Sequence, residues 1–343
     1  MYGPGIRIPN SLSKAVGWPW IDSKNYSKQE WVYPLPKISI VIPTLNQAAF
    51  IEKAIRSVLL QHYPKVELLV MDGGSNDGTA DVLNHYRAHL SYWQSRPDRG
   101  QSDAINQGMK HATGDLVAWL NSDDYYLAGA FWRIAQVWTP SSKQQWIVGV
   151  TEFRNEHDIL QYEWAPKPAS GLGEALSCGA GVPQTSGFWG IDLWHEVGGV
   201  DISLHYSMDE DLFMKFYLAG ARPQCVDAML ATMVIHGASK SGSLESKFSL
   251  DFSSIVKKYR NCVPEADLNK WKLGVGAMAE RYAIYAWNYL ADGNLQATND
   301  VIRSGLRLSL SKTLWGITRA GGVCIKQWLK SVVKKRAGKD VLP

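Results

Sequence analysis

Two adjacent carboxylates follow an apolar run near the middle of the chain. Asp123 and Asp124 end the segment 121–124, which comes directly after the apolar residues 116–120. If that run is a buried strand, the segment lies at the carboxyl end of a sheet, where open α/β sheets bind ligands. Carboxylate oxygens there suit Mg²⁺ or Mn²⁺, which proteins usually hold with one or two carboxylates and the phosphates of a substrate. The alternative is that the pair opens a loop and caps the next helix.

Three further polar clusters occur at the ends of predicted strands. They are residues 43–46, 72–75 and 98–108. Each has an ordinary explanation by itself: a Gly-Gly-Ser segment is usually a turn, and Asp103 at a helix start is favoured by the helix dipole. Their order and spacing along the chain favour one shared site over four separate turns.

The elements that carry these clusters alternate between strand and helix. The β-branched run at 38–42 and the mostly apolar run at 66–71 predict strands. Apolar residues at helical spacing predict helices from 51, 79 and 102. With a short strand near 92–93, this order predicts a mainly parallel α/β sheet covered by helices.

The second half of the chain is less regular. We predict strands at 147–153, 160–164 and 229–235, a helix at 209–218, and Gly-rich loops over 174–189. Helices follow at 255–259, 268–290 and 295–308. The predicted organisation is an irregular arm over 1–36, an α/β domain over 37–245 and a helical extension over 246–343.

The composition is that of an ordinary globular protein, with 45% hydrophobic and 20% charged residues. The four Cys residues are far apart and lack metal-ligand spacing, which indicates reduced thiols in the cytoplasm. We find no signal-peptide core and no run of about 18 apolar residues, so no transmembrane helix is expected.

The net charge of +4 is concentrated at the end of the chain. Residues 301–343 contain ten Lys or Arg and one acid, so the preceding residues carry a net negative charge. Basic side chains alternate with Trp328, Leu329 and other apolar residues in 311–336, a pattern that suits a helix lying on anionic lipid. The alternative is a solvated helix docked on the domain.

Over residues 37–241 the sequence resembles the family 2 glycosyltransferases of the GT-A fold, with a Rossmann-like sheet. The resemblance is carried by ISIVIPTLNQAAFIEKAIRSVLLQHYP, MDGGSNDGTADVL, DRGQSDAINQGMKHATGDLVAWLNSDDYY and GGVDISLHYSMDEDLFMKF. It is greatest for bacterial enzymes that build surface polysaccharides. The resemblance implies a nucleotide-sugar donor, a divalent cation (Mg²⁺ or Mn²⁺), and inversion at the anomeric carbon. A UDP-sugar is favoured over a GDP- or dTDP-sugar. It also implies a glycan or lipid-linked acceptor, and we expect no nucleic-acid partner.

The resemblance assigns donor-binding residues to the strand ends. Asp72 would accept the imide N–H of uracil, and the segment Pro43, Thr44 and Asn46 would line the base pocket. A hydroxyl such as that of Thr44 bonded to backbone is the alternative. The remaining candidates for donor contacts are Arg99, Gln101, Asp103, Asn121, Asp123 and Lys240, with a solvated loop as the alternative for Arg99 and Gln101.

The metal and the catalytic base are implied in the same way. Asp123 and Asp124 are the metal candidates, and the sequence does not decide between them. His236 could complete the site or contact phosphate, and a structural histidine is the alternative. The first acid of the family's pattern is Asn121 here, and an amide hydrogen-bonds but carries no charge. Asp209, at a predicted helix start, matches the family's general base. The alternative for all three acids of this turn is a dipole-stabilising cap, which is favoured for Glu210 and Asp211. Residues 183–188 resemble the loop that receives the acceptor.

Two other functions are consistent with parts of the pattern. A nucleotide-sugar-binding scaffold or regulatory subunit without catalysis would explain Asn121 and Met208, which both depart from the family's motifs. A nicotinamide-dependent dehydrogenase is disfavoured, because the first strand is followed by Pro-Thr-Leu-Asn-Gln and not by a glycine-rich turn. We therefore predict a metal-dependent glycosyltransferase in the cytoplasm, peripheral to the inner face of the membrane.

Overall fold

The computed structural model describes residues 8–20, 34–140, 142, 144–237, 239 and 245–317. They belong to two compact units. The first comprises residues 1–168 and 181–243, and the second comprises 169–180 together with the chain from 244 onward.

The first unit begins with a parallel βα repeat. Strands β1 (Ile38–Thr44), β2 (Val66–Asp72), β3 (Tyr92–Ser95) and β4 (Leu116–Trp119) alternate with helices α1 (Ile51–Leu59), α2 (Thr79–Tyr86) and α3 (Gln101–Met109). β1 pairs in parallel with β2 and β4, and β2 pairs in parallel with β3. The predicted alternation of strands and helices is confirmed.

Burial explains why these segments fold as they do. Every residue of β1 and β2 is buried, and most of them are apolar, as expected of a sheet covered on both faces. One side of α1 carries Ile51, Ala54, Ile55 and Val58, all fully buried in the core. The carboxyl ends of the strands consequently meet at one edge of the sheet.

The second half of this unit extends the sheet with both parallel and antiparallel strands. Its elements are β5 (Tyr125–Tyr126), α4 (Ala130–Val137), β6 (Trp146–Asn155), β7 (Leu160–Trp164), β8 (Gly187–Gly190), α6 (Ile191–Val197), α7 (Met208–Leu218) and β9 (Gln224–Ile235). Helix α5 (Leu172–Cys178), which follows β7 in the chain, belongs to the second unit. The described strands follow the order β3-β2-β1-β4-β8-β6-β9-β5, and β7 pairs with β6. β6 and β9 are parallel, whereas β8 is antiparallel to both of its neighbours.

The prediction of loops over 174–189 is wrong in two places. α5 occupies Leu172–Cys178, and Gly187–Gly190 forms β8 between β4 and β6. Phe188 and Trp189 of β8 are completely buried. Four residues with glycine at both ends carry too little periodicity to predict a strand that pairs only with distant segments.

The second unit is helical in its described part. It contains α5, α8 (Glu245–Tyr259), α9 (Leu268–Ala291), α10 (Leu295–Leu308) and helical residues 310–317. The predicted bounds of α10 are confirmed, and those of α9 agree to one residue. Most of the basic segment 311–336 lies outside the described residues. No helix in the described ranges is long and apolar enough to cross a bilayer.

Candidate active site

A cavity of about 500 Å³ opens at the carboxyl ends of β1, β4 and β9. Its size is typical of small-molecule sites. Loop residues after β1, β4 and β9 line it, and so do the start of α3 and the turn before α7. The lining residues are Pro43, Thr44, Leu45, Gln47, Asp98, Gly100, Gln101, Ala104, Asn121, Ser122, Asp123, Asp124, His205, Tyr206, Met233, Val234 and Ser239.

At the end of β1, two residues that line the cavity each have a buried polar side-chain atom without a partner. Thr44 Oγ1 and Gln47 Oε1 are buried, and among the described residues neither has a hydrogen-bond partner. Thr44 is 6% exposed. Buried polar groups are nearly always satisfied, so two unsatisfied ones lining a cavity indicate a polar ligand. Sequence reasoning predicted Thr44 but not Gln47.

Asp72 is placed differently from the prediction. It is completely buried at the end of β2 and is not among the lining residues. Its carboxylate accepts hydrogen bonds from the amide and hydroxyl of Ser75 and from the hydroxyl of Ser95. Asp72 thereby organises the turn after β2.

Asp98 is the carboxylate that reaches the cavity from this side. A Cβ on Gly73 would lie 3.0 Å from Asp98 Oδ2, so the side chain packs directly over the turn after β2. Burial raises the pKa of Asp98, a hydrogen bond from Gly100 opposes this, and the charges of Asp103 and Asp72 raise the pKa further. Asp98 is the first residue of the cluster 98–108, so the sequence contains a signal for it.

Asn46 links two loops and does not line the cavity. Its backbone N–H donates to Ser75 Oγ at 2.7 Å, and its side-chain oxygen accepts from the Asn76 N–H at 2.9 Å. Its φ of 53° lies in the left-handed region, which asparagine tolerates better than most residues. Asn46 therefore holds the turn after β1 against the turn after β2.

The two adjacent aspartates have different environments. Asp124 is 2% exposed, and its oxygens accept hydrogen bonds from Val234 N and Asn121 Nδ2, both at 3.0 Å. Burial raises the pKa of Asp124 well above its usual value, the charge of Asp123 adds to this, and the two hydrogen bonds oppose it. Asn121 in turn accepts a 2.8 Å hydrogen bond from Gln101 Nε2. Asp124 thus ties the segment 121–124 to β9.

Asp123, which lines the cavity, lies beside His236, which does not. Asp123 Oδ2 lies 3.1 Å from His236 Nε2, and the Asp123 side chain is 19% exposed while that of His236 is 4% exposed. The imidazole stacks on Phe50 with ring centroids 4.6 Å apart. The structure therefore brings together Asp123 and His236, which are 113 residues apart in sequence.

Arg99, just before α3, pairs with Asp103 in the first turn of that helix. Arg99 Nη2 lies 2.8 Å from Asp103 Oδ1, and the Arg99 side chain is 71% exposed. Gln107 also donates to Asp103 at 2.8 Å. Neither Arg99 nor Asp103 lines the cavity described above. Lys240 lies outside the described residues.

The start of α7 lies beside the cavity. Ser102 Oγ is 2.8 Å from both Leu204 O and Met208 Sδ, which fixes the approach to α7 against α3. His205 and Tyr206, in that approach, line the cavity. Asp209 is half-buried in the first turn of α7, and its Oδ1 accepts from the Glu210 N–H at 2.9 Å.

Asp211 has a structural environment. It is completely buried, and its Oδ2 lies 3.1 Å from Lys215 Nζ, which also donates to Gly199 O at 2.8 Å. This ion pair joins α7 to the turn before it. The geometry agrees with a stabilising role for Asp211.

The residues around Asp123 fit a divalent cation only with help from a substrate. No group of three or more His, Cys, Asp or Glu side chains in the described part of the chain could hold a metal ion. Asp123 and His236 supply one carboxylate oxygen and one imidazole nitrogen. Such an incomplete set suits cations that proteins bind through one or two side chains, substrate phosphates and water.

Comparison with known proteins adds independent information. Residues 39–163 match the model of the family described as "Glycosyl transferase family 2". An uncharacterized glycosyltransferase of Mycobacterium tuberculosis is 30% identical over 182 residues, which cover 52% of this chain and 68% of that protein. A GalNAc(5)-diNAcBac-PP-undecaprenol β-1,3-glucosyltransferase of Campylobacter jejuni is 31% identical over 106 residues, 30% of this chain and 34% of that protein.

Solved structures show the same architecture. The crystal structure of S. aureus TarS 1–349 in complex with UDP-GlcNAc matches with a TM-score of 0.50 at 15% identity, covering 78% of this chain and 91% of that one. At this level of identity the likeness concerns the fold alone. It agrees with the α/β fold predicted from the sequence.

Proposed function

This chain belongs to glycosyltransferase family 2 and has the GT-A fold, and from that premise we propose that it transfers a sugar with inversion from a nucleotide-diphosphate sugar to an acceptor hydroxyl. The observation that carries the proposal is that Thr44, Asp98 and Asp123 line one and the same cavity. Tyr206, three residues before Asp209, lines it as well. The donor would lie with its base toward the ends of β1 and β2 and its diphosphate toward Asp123.

The base end of the cavity favours a UDP-sugar. Asp98 reaches this end, and a carboxylate there accepts the imide N–H of uracil. Thr44 Oγ1 and Gln47 Oε1 supply a hydroxyl and an amide oxygen that need partners. Asp72 would act indirectly, by fixing the turn after β2 against which Asp98 packs.

Asp123 and His236 would hold Mg²⁺ or Mn²⁺ together with the donor's diphosphate. The bound cation would neutralise the charge that develops on the leaving nucleotide. Asp124 and Asn121 would hold the segment 121–124 in position, since their polar atoms form hydrogen bonds within the protein. In this arrangement Asp123 is the aspartate that contacts the metal.

Asp209 would act as the general base. It follows Tyr206, which lines the cavity, and the helix start is anchored to α3 through Ser102. The Asp209 carboxylate would take the proton from the acceptor hydroxyl as the hydroxyl oxygen bonds to the anomeric carbon and the nucleotide departs from the opposite face.

We place the reaction in bacterial surface-polysaccharide or lipopolysaccharide synthesis. A lipid-linked glycan acceptor would account for a basic segment at 311–336, which would bring a cytoplasmic enzyme to the inner face of the membrane. The C. jejuni relative, whose name includes an undecaprenol-linked substrate, supports an acceptor of this class.

Two substitutions with one control test the proposal. Asp123→Ala and Asp209→Asn should each abolish sugar transfer, and Asp209→Asn should still be stabilised by UDP-sugar with Mn²⁺ in a thermal-shift assay. Glu210→Gln, in the same helical turn as Asp209, should keep most of the activity. Full activity of both active-site variants would refute the proposal. Donor binding by the wild type without transfer to a broad acceptor panel would instead favour the non-catalytic scaffold.

A further inference from the structure

The β6–β7 hairpin presents aromatic side chains to solvent. All five residues of β7 are exposed, and among the described strands β7 pairs with β6 alone. Tyr162 is 51% exposed and Trp164 is 38% exposed. Residues i and i+2 of a strand lie on the same face about 7 Å apart, so these two rings form a row.

The strand register relates this row to the cavity. Phe153 of β6 is paired with Tyr162 of β7 on one side and with Met233 of β9 on the other. Directly paired residues point to the same face of a sheet. Met233 lines the cavity, so the aromatic row begins at the edge of the sheet where the donor would bind.

Ring geometry holds the row in place. The Phe153 and Tyr162 rings are stacked, with centroids 4.2 Å apart and an interplanar angle of 15°. The Trp164 ring lies 6.3 Å from that of Phe153. Because Phe153 is itself 5% exposed, the exposed rings rest on a buried one and are oriented before any ligand arrives.

The row is also continuous with the segment predicted to receive the acceptor. Trp164 is paired with Thr151, and the Thr151 hydroxyl donates to Ser186 Oγ at 2.8 Å. Ser186 belongs to the segment 183–188. The rings therefore lie one strand away from the segment predicted to receive the acceptor.

The charges around the hairpin indicate what the rings bind. Acidic residues outnumber basic ones between 152 and 167, and Glu156 and Glu163 are exposed there. An anionic membrane surface would be repelled by this segment. A neutral sugar ring has an apolar face that can pack on an exposed aromatic ring. Its hydroxyl groups can also donate hydrogen bonds to carboxylates.

We propose that Tyr162 and Trp164 form a platform for the acceptor glycan, which contacts sugar units beyond the one that is glycosylated. The proposal rests on the glycosyltransferase function proposed above and names the part of the chain that selects an extended saccharide acceptor. A monosaccharide acceptor would not reach the platform.

The experiment measures glycan binding apart from catalysis. Wild type, the double variant Tyr162→Ala/Trp164→Ala and the control Gln161→Ala, whose side chain lies on the opposite face of β7, are applied to an array of bacterial surface oligosaccharides of graded length. Donor binding is measured in parallel by thermal shift with UDP-GlcNAc and Mn²⁺. Each protein is also sedimented with neutral vesicles of phosphatidylcholine and with anionic vesicles of phosphatidylcholine and phosphatidylglycerol.

We expect wild type and Gln161→Ala to prefer longer glycans, and the double variant to bind them about tenfold more weakly, with its donor response unchanged. Equal glycan binding by all three proteins, or no glycan binding by wild type, would overturn the platform. Vesicle binding that depends on the two rings would overturn it in favour of a membrane contact. Loss of the donor response in wild type would count against the proposed function and not against the platform.

Discussion

Thr44→Val should raise stability and weaken donor binding at the same time. Thr44 Oγ1 is buried at the end of β1 without a partner among the described residues, so the folded protein carries the desolvation cost of a hydroxyl. Replacing it by a methyl group of the same shape removes a cost of about 1–3 kcal/mol. The backbone is unaffected, because Thr44 O still accepts the Gly73 N–H at 2.9 Å.

The expected changes are measurable. A gain of about 1 kcal/mol in the free energy of unfolding corresponds to a rise in Tm of roughly 2–4 °C for a domain of this size. If the hydroxyl bonds the donor, losing that bond costs about 1 kcal/mol, or about fivefold in affinity. Scanning calorimetry gives the first quantity, and titration of UDP-GlcNAc in the presence of Mn²⁺ gives the second.

Thr151→Val is the matched control. Thr151 is also a completely buried strand residue of this sheet, but its hydroxyl donates to Ser186 Oγ at 2.8 Å. The same substitution there should lower the free energy of unfolding by about 1 kcal/mol. If Thr44→Val lowers stability as much as Thr151→Val and leaves donor affinity unchanged, the Thr44 hydroxyl is already satisfied and the reasoning is refuted.

Three further predictions concern the scaffold and the basic segment. Burial raises the pKa of Glu67, but hydrogen bonds from Lys37, Ser39 and Thr113 outweigh this effect, so the pKa is lowered overall. Wild type should therefore lose stability as the pH falls below about 4.5. Glu67→Gln should lower the free energy of urea unfolding at pH 7 by about 1–3 kcal/mol and reduce this pH dependence; a variant as stable as wild type at pH 7 would contradict it. Gly108→Ala should cost about 1–3 kcal/mol in thermal unfolding, because its Cβ would lie 2.4 Å from Val41 Cγ1. At Gly276 an added Cβ would lie 3.5 Å from the nearest atom, so Gly276→Ala should be neutral or stabilising. Equal losses of stability in the two variants would exclude overpacking as the cause. Removing residues 311–343 should abolish salt-sensitive co-sedimentation with anionic vesicles, and unchanged binding would exclude this segment as the anchor.

Local pattern was sufficient for the first half of the sheet. The runs at β1 and β2 are long, apolar and bounded by turn residues, and their helices have clear stripes, so the positions of the polar clusters at the strand ends followed directly. β8 could not be predicted, because four residues such as Gly187–Gly190 become a strand only by inserting between β4 and β6. The environment of Asp124 was equally inaccessible, since it depends on the Val234 N–H, 110 residues away.

The asparagine at position 121 follows from the burial of Asp124. Asn121 donates to Asp124 Oδ2 at 3.0 Å and accepts from Gln101 Nε2 at 2.8 Å. An amide can do both at once, whereas an ionised carboxylate only accepts. An acid at 121 would place a second charge beside a buried carboxylate whose pKa burial has already raised. The departure from the family's acidic pattern is therefore what this packing requires and does not by itself argue for lost catalysis. Asp123 remains the aspartate of the segment that is partly exposed and in contact with His236.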